Sequence, residues 1–231
     1  MSARVKRLGC VDYVRTWQAM RTFVQARMPA QDDEIWLLEH PPVFTQGLAG
    51  KREHILDAGD IPVVQTDRGG QVTYHGPGQL IAYVLLDLKR LGVGPRELVR
   101  RLESAILQTL QVYDLAGTRR AGAPGVYVEH AKVAALGLRL RNGYSYHGLS
   151  LNVALDLTPF ARINPCGYQG LEVTSLARLG VKVGIPEVAA TLVRALTQQL
   201  YGADAQTTQA ADNDDWGHPS NGPPPNAPIA D

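Results

Sequence analysis

The chain has 231 residues, 45% of them hydrophobic and 19% charged, and its 23 basic and 22 acidic side chains give a formal net charge of +1. The length suits one domain of ordinary to large size or two small ones, and the composition carries a sizeable core and excludes a wholly disordered chain. No run approaches the roughly 18 apolar residues of a membrane span, the N-terminal Met1–Cys10 stretch lacks the apolar segment of a secretion signal, and the only cysteines, Cys10 and Cys166, are too few for a disulfide framework or a four-cysteine zinc site.

Helix and strand signals alternate along the chain, which predicts a mixed α/β (α+β) domain. Asp12 is placed to cap a helix running to about Arg27, with Val14, Trp17, Met20 and Val24 on one face. Ile35–Leu38 reads as a buried strand stopped by Pro41-Pro42, residues 61–66 as a second short strand, and Gln79–Leu88 as a longer one. Pro95 starts the clearest helix, whose apolar stripe is Leu98, Leu102, Ile106, Leu110 and Tyr113. Strand-like runs follow at Gly125–Val128, Lys132–Arg141 and Tyr144–Val153. Asn142-Gly143 between the last two marks a tight hairpin, because both turn positions need φ > 0. In that hairpin, paired residue numbers sum to about 285, so His147 falls opposite Leu138 and Lys132 near Val153. Pro186 begins a final helix with Val188, Leu192, Leu196 and Leu200.

The near-zero net charge hides an asymmetry. Residues 202–231 hold five acids, no Lys or Arg, and five of the 15 prolines, so residues 1–201 carry a formal +6. We read 1–201 as the folded domain and 202–231 as a disordered tail. A basic body suits an acidic partner, although a solvated surface accounts for the charge equally well.

Three polar, glycine-rich segments lie beside strong strand signals. Arg68-Gly-Gly-Gln-Val-Thr-Tyr-His-Gly-Pro-Gly78 lets backbone N–H groups approach an anion or an acyl carbonyl, yet matches neither a P-loop nor a dinucleotide-binding turn. Asn164-Pro-Cys-Gly-Tyr168 sets a thiol on a sharp turn rather than on an apolar face. Lys132 opens the apolar run Val133–Leu136, a poorly hydrated setting that disfavours its charge, although a strand-end lysine reaching water is the plainer reading. A thiol nucleophile needs help with its proton, and Lys132, His75 and His147 are the available helpers. His40, His54, His130 and Cys10 are assigned no role. No metal-ligand spacing and no serine-hydrolase elbow is present. Residue chemistry thus reaches cysteine-based acyl transfer without naming the acyl group.

At these residues the chain closely resembles the lipoyl(octanoyl) transferases, the octanoyl-acyl-carrier-protein:protein N-octanoyltransferases. The matching blocks are Arg68–Leu80, Gly125–Val128, Lys132–Gly137, Tyr146–Val153, and Asn164–Gly167 with Val173–Leu176. They stand in family order within about residues 5–200. The resemblance implies a catalytic domain like those of biotin and lipoate protein ligases, a mixed sheet flanked by helices. It implies Cys166 as the carrier of an octanoyl thioester and Lys132 beside it as general acid/base. The substrate-binding residues it implies are Arg68, Gly69, Gly70, Gln71, Val72, Thr73, Tyr74 and His75, then Ala135, Leu136 and Gly137, then Gly148, Leu149 and Ser150. It also implies octanoyl-acyl carrier protein as donor, and as acceptors the lipoyl domains of 2-oxoacid dehydrogenase complexes and the glycine cleavage H protein. No cofactor, metal, nucleic acid or membrane is called for, and a cytoplasmic monomer is expected. Val84 stands where many members have Pro, and Ser150 where others have Ala; neither touches the reacting groups.

Two rivals remain. An ATP-dependent lipoate or octanoate ligase of the same fold would make an acyl-adenylate, but the chain lacks the Gly-Arg-Gly-Arg-Arg-Gly pattern of biotin ligases. A silent carrier-binding module would have no use for both Cys166 and Lys132.

Overall fold

The run Gln79-Leu-Ile-Ala-Tyr-Val-Leu85 is apolar at nearly every position, as expected of a strand covered on both faces. The computed structural model, which describes residues 2–205, 207–209 and 219–220, places it at the centre of a large mixed sheet. In chain order the elements are β1 (Ala3–Val11), α1 (Tyr13–Ala26), β2 (Asp33–Glu39), β3 (Val43–Gln46), β4 (Val63–Gln65), β5 (Val72–His75), β6 (Gln79–Leu85), α2 (Leu88–Leu91), α3 (Pro95–Gln111), β7 (Gly117–Thr118), β8 (Gly125–Val128), β9 (Ala131–Arg141), β10 (Tyr144–Asn152) and α4 (Ile185–Tyr201). The large sheet runs β1-β2-β6-β10-β9-β8-β7, with β1 and β2 parallel and the other pairs antiparallel. A small sheet, β4-β3-β5, stands beside it.

The period-two alternation of strands sorts the core into two layers. Ile35, Leu37, Leu80, Ala82 and Val84 face α3 and α4, whereas Trp36, Leu38, Ile81, Tyr83 and Leu85 face α1. Asp12 caps α1 by accepting a hydrogen bond from the Arg15 N–H. The buried stripe of α1 is Tyr13, Thr16, Met20 and Val24 rather than one containing Val14, which is exposed. Tyr13 lies one helical turn before Thr16 and so takes the core position. The third predicted strand ends at Leu85, because Asp87 caps the short α2.

Asn142 and Gly143 adopt φ of 53° and 83°, and the ladder across them pairs His147 with Leu138, the expected register. Lys132 is instead bridged to Val173 and paired with Tyr127 of β8. β1 had no counterpart in the sequence reading; its Lys6 masks the strand pattern yet is buried against Glu34 at 2.8 Å and over the Trp36 ring.

A buried polar knot ties the last helix to the sheet. Asp33 accepts from Arg27 (2.5 Å), Arg90 (2.7 Å) and the Tyr201 hydroxyl (2.8 Å). Beyond Tyr201, residues 208–209 and 219–220 pair with β1, and most of the expected tail lies outside the described residues.

Candidate active site

On the α1 face of the sheet, two cross-strand rows begin with small residues and end on large ones. One row is Ala135–Ser150–Ile81 and the next is Gly137–Gly148–Tyr83, each crossing β9, β10 and β6. Small side chains on two neighbouring strands leave a trough, and the loop from Arg68 to Thr73 lies over it. The resulting cavity has a volume of about 440 Å³. It is lined by Arg68, Gly69, Gly70, Gln71, Val72, Thr73, His75, Ala135, Leu136, Gly137, Gly148, Leu149 and Ser150, together with Lys132 and Tyr168. Of the residues singled out in the sequence for substrate binding, Tyr74 alone is not among its walls. Alternation along β5 turns its ring away from Thr73 and His75 and onto Phe44 and Phe160.

Lys132 is buried, and its Nζ donates to the Pro124 carbonyl at 3.1 Å and sits over the Tyr127 ring at 5.2 Å. Its backbone is fixed on both sides: the N–H donates to Glu172 O (2.8 Å) and the C=O accepts from the Thr174 N–H (3.0 Å). A chain of buried side chains holds that segment in turn. His75 donates to Gln79 at 2.6 Å, the Gln79 amide donates to Asn152 at 2.9 Å, and the Asn152 amide donates to Thr174 O at 2.9 Å. Pro165 and Lys132 line one small adjoining cavity with Thr73, Ser150 and Asn152, so the turn containing Cys166 abuts the lysine's strand. That turn is held by Asn164 N–H donating to His54 O at 2.8 Å and Tyr168 N–H to Pro165 O at 3.1 Å. The side chain of Cys166 lies outside the described part of the structure. Cys10 is buried in β1, away from the cavity walls.

Arg68 shapes the loop. Its guanidinium donates to the Thr45 carbonyl and hydroxyl on β3, to Gly69 O and to Gln71 O, all between 2.5 and 3.1 Å.

The inner end of the cavity is polar, and its histidines are held neutral. Burial pushes His40 down to about 4 and His75 to about 3, and also lowers His147. Burial raises the Tyr83 phenol well above its ordinary value. His147 adopts φ of 59° in the middle of β10, a left-handed conformation rare for a non-glycine residue. The kink puts its ring on the same face as the neighbouring Tyr146, with which it stacks at 5.1 Å. Both then donate to Asp67, His147 Nε2 at 2.9 Å and the Tyr146 hydroxyl at 2.5 Å, and Trp17 Nε1 adds a third bond at 2.8 Å. Burial alone would raise the Asp67 carboxyl, but these three donors outweigh it and hold the group well below the usual carboxylate range. Gly148 follows the kink, and a Cβ there would lie 2.0 Å from the Ala82 carbonyl oxygen.

Sequence reasoning passed over Asp67, Gln79, Asn152, His40 and Tyr83. Asp67 immediately precedes the glycine-rich loop, and Gln79 is an amide opening the otherwise apolar run of β6, which are the signals that could have found them.

Residues 12–197 match the lipoyl protein ligase A/B catalytic domain family. An octanoyltransferase of Chromobacterium violaceum is 57% identical over 196 residues, which span 85% of this chain and 95% of the relative. The chain belongs to the octanoyltransferase family. It is therefore an acyltransferase, and the trough and its lysine are the place in the fold to look for that chemistry. Among solved structures, the bipartite lipoate protein ligase of Thermoplasma acidophilum superimposes with a TM-score of 0.71 at 17% identity, covering 91% of this chain and 88% of that one. Biotin protein ligase of Aquifex aeolicus gives 0.53 at 14% identity, covering 87% and 70%. These two ligases share the fold of this chain. Among the described residues, no helix is long and apolar enough to cross a membrane.

Proposed function

We propose that this octanoyltransferase moves an octanoyl group from acyl carrier protein to the target lysine of a lipoyl domain by way of a thioester on Cys166. The observation that carries this reading is the convergence of the trough, the buried Lys132 and the Cys166 turn at one place. The trough takes the acyl chain and leaves its carbonyl beside Lys132. Lys132 accepts the Cys166 thiol proton as the sulfur attacks the donor thioester. The carrier's carbon–sulfur bond then breaks, and Lys132 returns that proton to the departing carrier thiol. In the second half, the acceptor amine attacks the acyl-enzyme, the new amide forms, and the amine's proton passes through Lys132 back to the Cys166 sulfur. Backbone N–H groups of the glycine-rich loops are suited to the oxyanion. Exchange of one thioester for another is near balance and amide formation runs downhill, so the route draws on no ATP. The +6 body favours encounter with acidic carrier domains in the cytoplasm, and the enzyme acts as a monomer.

The test is octanoyl transfer from octanoyl-acyl carrier protein to an apo lipoyl domain by Cys166→Ala and Cys10→Ser enzymes. Cys166→Ala abolishes turnover and Cys10→Ser retains it. Wild-type turnover by Cys166→Ala refutes the covalent route, and a requirement for ATP with free octanoate assigns the enzyme to the adenylating ligases.

A further inference from the structure

The trough ends abruptly. Its floor is small on β9 and β10, and on the third strand, β6, Ile81 and Tyr83 close it. Two inter-strand spacings amount to about 10 Å. An extended eight-carbon chain, built from bonds of about 1.5 Å that zigzag, is about 9 Å long. The end wall is also rigid. The Tyr83 hydroxyl donates to His40 Nε2 at 2.7 Å, and His40 Nδ1–H donates to Val11 O at 2.6 Å, so that carbonyl dictates the tautomer that accepts from tyrosine. His40 is itself wedged edge-on against Tyr13 and His75, with ring centroids 5.0 and 6.0 Å away. A longer chain therefore meets a tethered ring backed by fully buried partners, not a side chain free to swing aside.

We propose that Tyr83, held by His40, is the stop that sets the acyl chain length this enzyme accepts at about eight carbons. The proposal rests on the octanoyl-transfer reading and adds the residue that discriminates among chain lengths. Past the eighth carbon, each methylene must displace the Tyr83 ring and break its bond to His40. Shorter chains fit but leave the inner end of the trough unfilled, so transfer peaks at eight.

The experiment is single-turnover transfer from acyl carrier proteins loaded with six-, eight-, ten- and twelve-carbon chains to an apo lipoyl domain, read by mass. Wild type is expected to favour eight carbons over twelve by more than tenfold. Tyr83→Val removes the ring while retaining a strand-forming residue, and is expected to raise the twelve-to-eight ratio at least tenfold. Ser150→Leu fills the floor instead, and is expected to raise the six-to-eight ratio; it decides the matter if Tyr83→Val does not fold. An unchanged length profile in a folded Tyr83→Val enzyme, or in Ser150→Leu where it decides, overturns the proposal. So does a wild type that transfers all four lengths alike, in which case the transfer reading still stands. A wild type that transfers no chain of any length overturns both.

Discussion

Acidifying the solution from pH 8 to pH 5 should cost this fold far more stability than its carboxylates can explain, because the inner end of the cavity keeps its histidines neutral. His40 titrates near 4 and His75 near 3 in the native state, against an ordinary value of 6.5. The unfolded chain therefore binds protons below pH 6.5 that the native state refuses, and stability falls as the pH drops from 6.5 towards the native values. At pH 5 each of the two residues contributes a loss of about 2 kcal/mol, roughly 4 kcal/mol together, and His147 adds in the same direction. That is a large part of the ~5–15 kcal/mol typical of a folded domain. Asp67 and Glu97, whose carboxyls are held low, begin to lose their contributions only as the pH falls to about 5 and so add little within this window. Urea unfolding followed by circular dichroism at pH 8, 6.5, 5.5 and 5 measures the slope. His75→Gln, which removes one titrating group, should roughly halve it. A loss below about 1 kcal/mol between pH 8 and pH 5 refutes the neutral-histidine reasoning.

Three further outcomes follow from particular contacts. Gly148→Ala places a methyl 2.0 Å from the Ala82 oxygen between two central strands, and overpacking of that kind costs ~1–3 kcal/mol; thermal unfolding should drop by several degrees, and an unchanged midpoint contradicts the packing. Asp33→Ala leaves Arg27 buried without its carboxylate and Arg90 unpaired, at a cost of about 3–5 kcal/mol by urea unfolding; a loss under ~1 kcal/mol shows that the knot is not what holds α4. Lys132→Ala should shift the pH profile of Cys166 alkylation upward, measured in a Cys10→Ser background, and an unmoved profile removes Lys132 from its proposed role.

The elements that positioned the trough were legible because their signals were local. Pro95 and Pro186 mark helix starts, and Asn142-Gly143 marks the turn that sets the β9–β10 register, from which the pairing of His147 with Leu138 followed. The glycine-rich loop and the Lys132 strand were visible as polar or glycine-rich departures from apolar periodicity. What was hidden depends on long-range pairing. β1 carries a buried lysine whose partner, Glu34, is 28 residues away in the chain. Asp67 reads as a loop acid until Trp17 of α1 and Tyr146 and His147 of β10 converge on it. The left-handed His147 was hidden too, since local propensity favours an ordinary strand there. Tyr74 stood inside the matching block, yet strand alternation sends it into the small core.

The central claim, a thioester on Cys166 that is passed to a lysine, is tested most directly by intact-protein mass spectrometry. The enzyme is mixed with octanoyl-acyl carrier protein in the absence of ATP, the adduct is mapped by peptide digestion, and the acyl-enzyme is then chased with an apo lipoyl domain. The account predicts one octanoyl group on Cys166 that disappears as the lipoyl domain gains it. An octanoyl group mapped to any other residue, or a Cys166 adduct that persists while the domain becomes octanoylated, contradicts it.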